Sequence, residues 1–324
     1  MTIPQGFKPT LAVAADGYPG PGYVSPKIDG VRCFVFDGVA YGRSGKPFKN
    51  KHVQAWAHSN QDILEGLDGE IAFGELNSQS LCRDTTGFVN RHDDCRDFLF
   101  VVFDYYNKDS EVKEKYCERI AELLDWRSVF PGNTRIIPTL YVQTEDAYDA
   151  AEAIFVDDGY EGMMWRRGDA PYKCGRSTLR DKVLLKVKRF EDRDAFIYGY
   201  EEAEHNENEA TRDAFGRTER RSLAEGRRAA GRVGALLAID LESGTRFRIG
   251  IFRGVTIAER EAWFVDPKSM GFFCKYSKMV HGEKDKPRHA TFLTWRAEVD
   301  IDDELLAKFL NEHDGHREIR TRHF

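Results

Sequence analysis

The sequence has no run of apolar residues as long as the about 18 that a membrane-spanning helix needs. Proline and glycine also interrupt its first twenty residues, where the apolar core of a signal peptide would lie. We therefore expect a cytoplasmic protein that does not use a membrane as its partner.

Cysteine pairs at short spacing are also missing. The six cysteines form neither a CxxC pair nor a cluster with histidines at the spacing of a zinc site. A disulfide scaffold and a structural zinc are therefore not indicated, and we expect reduced, mostly buried thiols.

Hydrophobic residues make up 41% of the chain and charged residues 31%, which excludes a largely disordered or a fibrous protein.

The chain lacks an overall positive charge, because its formal net charge is −6. From Thr211 to Arg232, however, seven arginines stand against three acidic residues, a local net charge of +4 (seven minus three). The segment before it, Glu201 to Glu209, holds five glutamates and no lysine or arginine. Adjacent acidic and basic blocks with scattered glycines predict a long solvated loop, whose basic part could bind a polyanion. The alternative is a surface insertion without a binding role.

The length of 324 residues exceeds the size at which one hydrophobic core usually keeps growing, so we predict two domains. In residues 1–189, strand-like segments accompany two helical patterns, within 111–130 and from Thr144 to Val156, which indicates a mixed α+β class. In residues 190–324, short strand patterns followed by a C-terminal helical pattern predict a small β-barrel such as an OB-fold.

The first chemical pattern is KxDGxR, formed by Lys27, Asp29, Gly30 and Arg32 directly before a strand-like segment. A lysine amine that is partly desolvated or close to other cations can be neutral near pH 7 and can attack phosphorus. The pattern therefore predicts that Lys27 is a nucleophile. The alternative is that Lys27 and Arg32 are surface residues on either side of a DG turn.

Further patterns follow in an order that suits phosphoryl transfer. Glu70 and Glu161 begin strand-like segments, and their carboxylates could hold the divalent cations that this chemistry requires. Phe103 ends another apolar strand. Lys186 and Lys188 are two residues apart, so on a strand both ammonium groups face the same side and could hold a phosphate. Each of these patterns by itself also fits a turn or a solvated strand.

Together and in this order, the patterns resemble the motifs of the ATP-dependent DNA ligases, most closely the small two-domain enzymes of bacteriophages. The resemblance extends from about Val24 to about Val299. The similar segments are KIDGVR (27–32), GRSGK (42–46), DGEIAF (68–73), VVFDYY (101–106), YEGMMWR (160–166), LLKVKRF (184–190) and KPRHATFLTWR (286–296). In the last segment, His289 and Ala290 stand where relatives commonly have an aromatic residue and proline.

This resemblance implies roles for individual residues. Lys27 would be adenylylated by ATP, Phe103 would stack on adenine, and Glu161 would bind a metal ion, Mg²⁺ or Mn²⁺. Glu70 would bind ribose or metal. The residues expected to contact the nucleotide are Ser25, Pro26, Lys27, Asp29, Arg32, Arg43, Glu70, Phe103, Arg176, Lys186, Lys188, Arg288 and Arg296. Those expected to contact nicked duplex DNA are Arg43, Arg176, Arg212, Arg217, Arg220, Arg221, Arg227 and Arg228.

The implied activity is the sealing of nicks in duplex DNA by a monomer, in the host cytoplasm if the protein is viral. ATP is the expected cofactor, because the zinc and helix-hairpin-helix modules of the NAD-dependent ligases are absent from the sequence. An RNA ligase and an mRNA guanylyltransferase are alternatives from the same superfamily. A non-catalytic OB-fold protein that binds nucleic acid is an alternative from another class, although the intact motif positions argue against it.

Overall fold

The structure of this protein is a computed structural model, which describes residues 3–107 and 114–312. The chain forms two compact units. The first unit comprises Met1–Lys188 together with Arg212–Arg217, and the second comprises Arg189–Thr211 together with Thr218–Phe324. No helix among the described residues is long and apolar enough to cross a membrane.

The first unit contains two five-stranded sheets and most of the helices. Its strands are β1 (Val13–Ala14), β2 (Gly22–Pro26), β3 (Val31–Phe36), β4 (Val39–Gly42), β5 (Leu67–Ala72), β6 (Leu99–Tyr105), β7 (Thr134–Ile136), β8 (Leu140–Val142), β9 (Gly162–Arg166) and β10 (Leu184–Lys188). Its helices are α1 (Lys51–Ser59), α2 (Gln61–Leu64), α3 (Leu81–Asn90), α4 (Tyr116–Trp126) and α5 (Glu145–Asp157).

One sheet of this unit has the strand order β1-β10-β9-β2-β8. Helix α5 covers it, and Tyr148 and Phe155 of the helix pack with Met163 and Trp165 of β9 in one apolar cluster. The helix begins where the sequence predicts, because the Thr144 hydroxyl accepts a hydrogen bond from the backbone of the first turn. The mixed α+β class predicted for this part of the chain is confirmed.

The other sheet has the order β4-β3-β5-β6-β7 and is buried on both faces. On its strand β6, which lies between β5 and β7, Phe100 and Val102 pack against helices α1, α3 and α4, while Val101 and Phe103 point to the opposite face. Helix α4 lies within the predicted range 111–130, of which residues 111–113 are outside the described part of the chain. The sequence analysis did not predict α1 and α3. Helix α1 buries only Val53 and Ala57, and one of the four buried positions of α3, Thr85, is polar, so neither helix shows a continuous apolar stripe.

Residues Arg212–Arg217 join the first unit through one aromatic side chain. Phe215 is 6% exposed and packs in a cluster with Phe7, Phe34, Phe36 and Tyr41. Its turn is closed by the Asp213 carboxylate, which accepts hydrogen bonds from the backbone N–H groups of residues 215 and 217. This part of the basic segment is therefore an ordered turn with a buried anchor rather than a solvated loop.

The second unit is built around one six-stranded sheet. Its strands are β11 (Phe190–Asn206), β12 (Ala210–Arg212), β13 (Thr218–Arg220), β14 (Arg227–Asp240), β15 (Arg246–Ile249), β16 (Ile251–Phe252), β17 (Phe273–Met279) and β18 (Arg288–Arg296). Its α-helices are α6 (Ile257–Val265) and α7 (Asp303–Glu312), and short 3₁₀ turns lie at Ala224–Gly226, Pro267–Ser269 and Glu298–Asp300. Residue Arg212 ends β12 and is at the same time the first residue of the segment assigned to the first unit.

The sheet of the second unit has the order β15-β14-β11-β17-β18-β16, and β12 and β13 form a separate hairpin. Its two edge strands, β15 and β16, are separated in sequence only by Gly250. The first half of this continuous segment thus pairs with β14, and the second half pairs with β18. The described pairings include none between β15 and β16 themselves, so the sheet is not a closed barrel by its hydrogen bonds.

The expectation of a long solvated loop from Glu201 to Arg232 is wrong over most of its length. The glutamate block continues β11, and it pairs in antiparallel register with the beginning of β14, where the second half of the arginine block lies. Arg227 contacts Glu204 at 2.8 Å, and Arg228 lies 3.9 Å from Glu207. The two charge blocks are therefore neighbours across a strand pair, and the cross-strand attraction favours this extended structure.

The cysteines are free, as expected. The expectation that most of them are buried is wrong, since only Cys33 and Cys274 are buried and Cys95 and Cys174 are exposed. The two buried thiols lie on interior strands, β3 and β17, where a small apolar side chain fits the core.

Candidate active site

Lys27 follows directly after β2 and continues its pairing with β9. Its backbone N–H donates to the Gly162 carbonyl at 2.8 Å, and its own carbonyl accepts from the Glu161 N–H at 3.3 Å. Gly162 has a φ of +147°, and a β-carbon there would lie 2.2 Å from the Val187 carbonyl oxygen of β10. Only glycine fits between these strands, so the EG pair of the sequence brings Glu161 and Lys27 side by side.

Glu161 lies between two of the predicted lysines. Its carboxylate contacts the ammonium groups of Lys27 and Lys188, and its side chain is 1% exposed. Lys188 reaches it because the residue pairs with Gly162 across β9 and β10. Burial would raise the pKa of Glu161, but the two lysines outweigh burial and hold this pKa below its ordinary value. Glu161 is therefore an ionised carboxylate in a nearly closed site.

Lys186 completes a group of three lysines on these neighbouring strands. It lies two residues before Lys188 on β10, as the sequence predicts. Burial lowers the pKa of Lys186, and the nearby Lys188 and Lys27 lower it further. Two ammonium groups thus contact the Glu161 carboxylate and a third lies nearby, an arrangement of positive charge suited to phosphate oxygens.

Glu70 approaches the same lysine from the second sheet. It pairs with Arg32 across β3 and β5. A β-carbon at Gly30 would lie 2.5 Å from the Ile71 carbonyl oxygen and 3.4 Å from a carboxylate oxygen of Glu70, so the DG turn of KxDGxR must pass close over this strand. Burial raises the pKa of Glu70 to about 7, although Arg32 and Lys27 act in the opposite direction.

The two carboxylates expected to hold a metal, Glu70 and Glu161, therefore both lie near Lys27. Among the described residues there is no group of three or more acidic, histidine or cysteine side chains that could enclose an ion. One or two carboxylates still fit Mg²⁺, because this ion usually takes its remaining ligands from water and substrate phosphates. The donor set thus fits an ion that is bound together with a phosphate-bearing substrate.

Phe103 lies near the end of β6, two residues before Tyr105, and is 7% exposed. The guanidinium carbons of Arg32 and Arg166 are 4.6 Å and 4.9 Å from its ring centroid. Ile28 and Ile137 belong to the same apolar cluster. Phe103 is therefore both a core residue and a neighbour of the KxDGxR segment, and Arg166 is a cation beside it that the sequence did not single out.

Two buried aspartates hold these arginines. Asp68 pairs with Arg32, and Asp104 pairs with Arg119 at 2.7 Å and with Arg166 at 3.1 Å. Asp68 and Asp104 are register partners on β5 and β6. Both aspartates lie within the motifs of the sequence analysis, which assigned no role to either. A charged residue inside an apolar strand is nevertheless a signal for a buried aspartate–arginine pair.

Ser25, Pro26 and Asp29 are close to the nucleophile in the chain and in space. Ser25 and Pro26 are buried in β2 and pair with Met164 and Met163 of β9. Asp29 is partly exposed, and its charge contributes to the raised pKa of Glu70. These residues therefore border the lysine site.

Arg43 and Arg176 line a cavity of about 460 Å³ in the first unit. Lys8 and Arg217 also line it. Burial lowers the pKa of Arg43, and the charges of Arg176, Arg32 and Arg217 lower it further. Four cations around one cavity, with no acidic residue among those that line it, favour an anionic occupant.

The remaining predicted arginines lie elsewhere in the chain. Arg288 and Arg296 are the two ends of β18 in the second unit. Arg296 contacts the Asp194 carboxylate at 3.2 Å, and Arg288 donates to the His281 carbonyl at 3.2 Å. The arginines of the basic segment that lie on or beside the hairpin and on β14 are exposed, namely Arg212, Arg220, Arg221, Arg227 and Arg228.

The first unit matches a known family. The family model described as ATP dependent DNA ligase domain matches residues 9–188. A comparison with curated protein sequences gives no significant match.

Solved structures of DNA ligases are similar over most of the chain. A structure of a Lig E DNA ligase is 22% identical, covers 89% of this chain and 99% of its own, and superposes with a TM-score of 0.65. The DNA ligase–adenylate of Chlorella virus is 25% identical over 89% of this chain and 99% of its own, with a TM-score of 0.48. The ligase of bacteriophage T7 in complex with ATP is 16% identical over 89% and 98%, with a TM-score of 0.44. The first of these similarities shows a shared fold.

Proposed function

The chain belongs to the ATP-dependent DNA ligases, which seal nicks in DNA, and on this premise we propose that Lys27 is the residue that carries AMP. The observation that carries the proposal is the position of Lys27 in contact with Glu161 and beside Lys186 and Lys188. An amine nucleophile, an ionised carboxylate and two further cations within one site are what a reaction at a phosphate requires.

The reaction would proceed in three transfers at phosphorus. The neutral amine of Lys27 attacks the α-phosphorus of ATP, a nitrogen–phosphorus bond forms, and pyrophosphate leaves. An oxygen of the 5′-phosphate at the nick then attacks the same phosphorus, and the bond to Lys27 breaks. Finally the 3′-hydroxyl attacks the 5′-phosphorus and displaces AMP. In each step the positive groups stabilise charge that develops on oxygen, and the protein contributes mainly alignment.

Glu161 and Glu70 would hold a divalent cation, Mg²⁺ or Mn²⁺, which supplies positive charge to the phosphate oxygens. Glu161 is suited to this because its carboxylate stays ionised among the lysines. Lys186 and Lys188 would hold the α-phosphate, since they project beside the carboxylate from β10. The amine of Lys27 must be neutral when it attacks. A metal ion that takes the place of Lys27 beside the Glu161 carboxylate would remove the counter-charge of the ammonium group and so favour the neutral amine.

The adenine would stack on Phe103, with Ile28 and Ile137 as apolar neighbours. Ser25, Pro26, Asp29 and Arg32 would line the rest of the nucleotide site. This proposal is supported by the position of the ring next to the KxDGxR segment.

We propose further that residues 190–324 form an OB-fold domain, whose barrel is completed by the continuous segment that contains β15 and β16. Residues 1–189 would then form the adenylation domain. In the OB-fold domain, Arg288 and Arg296 would contact the phosphates of ATP, as the resemblance of β18 to the last ligase motif implies.

The DNA partner would be nicked duplex, bound by arginines without sequence preference. Arg43, Arg176 and Arg217 line one cationic cavity that suits backbone phosphates. The exposed arginines Arg212, Arg220, Arg221, Arg227 and Arg228 would add contacts to the same polyanion. We propose that the enzyme acts as a monomer in the cytoplasm.

The experiment that tests this function compares substrates. The purified protein is incubated with a duplex that carries one nick, with ATP, GTP or NAD, and in parallel with the same nick in an RNA strand. We expect sealing of the DNA nick with ATP and a divalent cation. Sealing only of RNA would favour an RNA ligase, and transfer of GMP to the protein with GTP would favour a guanylyltransferase. Failure to form any covalent nucleotide adduct would favour a non-catalytic binder.

A further inference from the structure

Tyr172, Asp68 and Arg32 form a continuous hydrogen-bonded chain in the first unit. The Tyr172 hydroxyl donates to Oδ2 of Asp68 at 2.6 Å. Asp68 accepts two further bonds from Arg32, from Nε at 2.5 Å and from Nη2 at 2.6 Å. The carboxylate between them is buried, and the whole Asp68 residue is 0% exposed. A bidentate pair of this kind fixes both the position and the plane of a guanidinium group.

The chain ends at the candidate active site. The Arg32 guanidinium lies over the Phe103 ring, with 4.6 Å between its central carbon and the ring centroid. Arg32 also donates to the Thr10 carbonyl at 3.3 Å. In the backbone register of β3 and β5, Arg32 lies opposite Glu70. The guanidinium therefore stands beside the residues proposed to bind the nucleotide, in an orientation that Asp68 sets.

The Tyr172 hydroxyl is available as a donor throughout the working pH range. Burial raises the pKa of Tyr172 well above its ordinary value, and the charge of Asp68 raises it further. Its ring is held independently of this bond, because it stacks on Phe7 at 6.0 Å and meets Tyr106 edge-on at 5.4 Å. Removing the hydroxyl alone therefore leaves the ring in place and takes one donor from a buried carboxylate.

We propose that Tyr172 is a positioning residue of the ligation reaction, which acts through Asp68 to hold the Arg32 guanidinium in the orientation that contacts the reacting phosphate. This inference rests on the proposed function. It differs from a direct contact of Tyr172 with the nick or the nucleotide, because the hydroxyl donates its proton to the buried Asp68 carboxylate. The residue lies in the sequence 104 positions from Asp68, so only the fold brings the two together.

The test is the Tyr172→Phe variant in single-turnover kinetics of each transfer. We expect the maximal rate of nick sealing to fall about tenfold, as is usual when a hydrogen bond to a charged group is lost. We expect KM for nicked DNA to be unchanged, because other arginines hold the duplex. The matched control is Tyr106→Phe, which removes a hydroxyl from the same aromatic cluster without touching the Asp68 carboxylate, and it should seal at the wild-type rate.

A double-mutant cycle separates positioning from a general structural role. In an Arg32→Ala background, where Asp68 has no guanidinium to orient, Tyr172→Phe should cause no further loss of rate. An equal tenfold loss in both backgrounds, or a wild-type rate for Tyr172→Phe itself, would overturn the inference. Both results are read on an enzyme whose wild type seals nicks, so they differ from a failure of the proposed function, in which the wild type forms no lysyl adduct.

Discussion

The carboxylate of Glu161 contacts the ammonium group of Lys27, the residue that we propose as nucleophile. The same carboxylate contacts Lys188 from the other side. This arrangement joins the proposed nucleophile, its counter-charge and a proposed phosphate-binding cation at the ends of three neighbouring strands of one sheet, β2, β9 and β10. Because only a neutral amine can attack, we propose that release of Lys27 from this contact is linked to a change of charge at Glu161.

Replacing Glu161 by Gln tests this link. The amide keeps the size of the side chain but removes the negative charge that Lys27 and Lys188 contact, so we expect the rate of self-adenylylation to fall at least about 100-fold, the usual effect of losing a preorganised charge. The dependence of the remaining rate on Mg²⁺ concentration should become weaker. A metal dependence equal to that of the wild type would contradict the proposed role of Glu161.

Glu70 predicts a specific dependence of stability on pH. Its pKa is raised to about 7 in the folded protein, so the protein is penalised when this carboxyl ionises. The stability that depends on a neutral Glu70 is fully present below the ordinary pKa of glutamate and is lost as pH rises through 7. The free energy of unfolding of Glu70→Gln, measured by thermal unfolding, should therefore exceed that of the wild type by an amount that grows from pH 5 to pH 8, by up to roughly 3 kcal/mol. A constant difference over this range would show that Glu70 is ionised freely in the fold.

Phe103 combines packing with proximity to the site, and two variants separate these roles. Phe103→Leu removes the aromatic face, and we expect KM for ATP to rise about tenfold, the upper range of a stacking contribution. Phe100→Leu is the matched control, because this ring is 0% exposed on the same strand but faces helices α1, α3 and α4. Similar losses of thermal stability with an unchanged KM for ATP in both variants would reduce Phe103 to a core residue.

The sequence predicted several residues that the fold brings together at the candidate site, and it missed several elements of the fold. Lys186 and Lys188 obey the two-residue period of a strand, and Lys27 and Glu161 are held together by a glycine that is visible in the sequence. The strand structure of the charged segment was missed, because a run of glutamates gives no apolar alternation. What holds it as strands is pairing with arginines about 23 positions away, such as Arg227 with Glu204.

The role of Tyr172 could not have been predicted in this way. Its partner Asp68 is 104 residues earlier, and no local pattern encodes contacts at that separation. The position of Phe215 could not have been predicted from local patterns either. This residue belongs to an arginine-rich segment, but in the fold it packs among aromatic residues from the N-terminal part of the chain. Local periodicity predicts which face of a strand is buried, whereas the partner across the core depends on the complete topology.

The basic segment predicts a salt-dependent effect on DNA binding. Replacing Arg220, Arg221, Arg227 and Arg228 by Ala removes four positive charges from exposed positions, so affinity for nicked duplex should fall and the slope of log affinity against log salt should become less steep. Self-adenylylation should be nearly normal. The matched control replaces the same four residues by Lys, which keeps their charge and should retain most of the slope. Equal binding by the Ala and wild-type proteins would remove these residues from the DNA interface.

The most direct test of the account is the covalent attachment of AMP to Lys27. The protein is incubated with ATP labelled at the α-phosphate, denatured and separated by electrophoresis, and the modified residue is identified by mass spectrometry. We predict that the wild type retains label on Lys27 and that Lys27→Arg retains none, because a guanidinium group is not a free amine at working pH. Label retained by Lys27→Arg, or mapped to another residue of the wild type, would contradict the central claim.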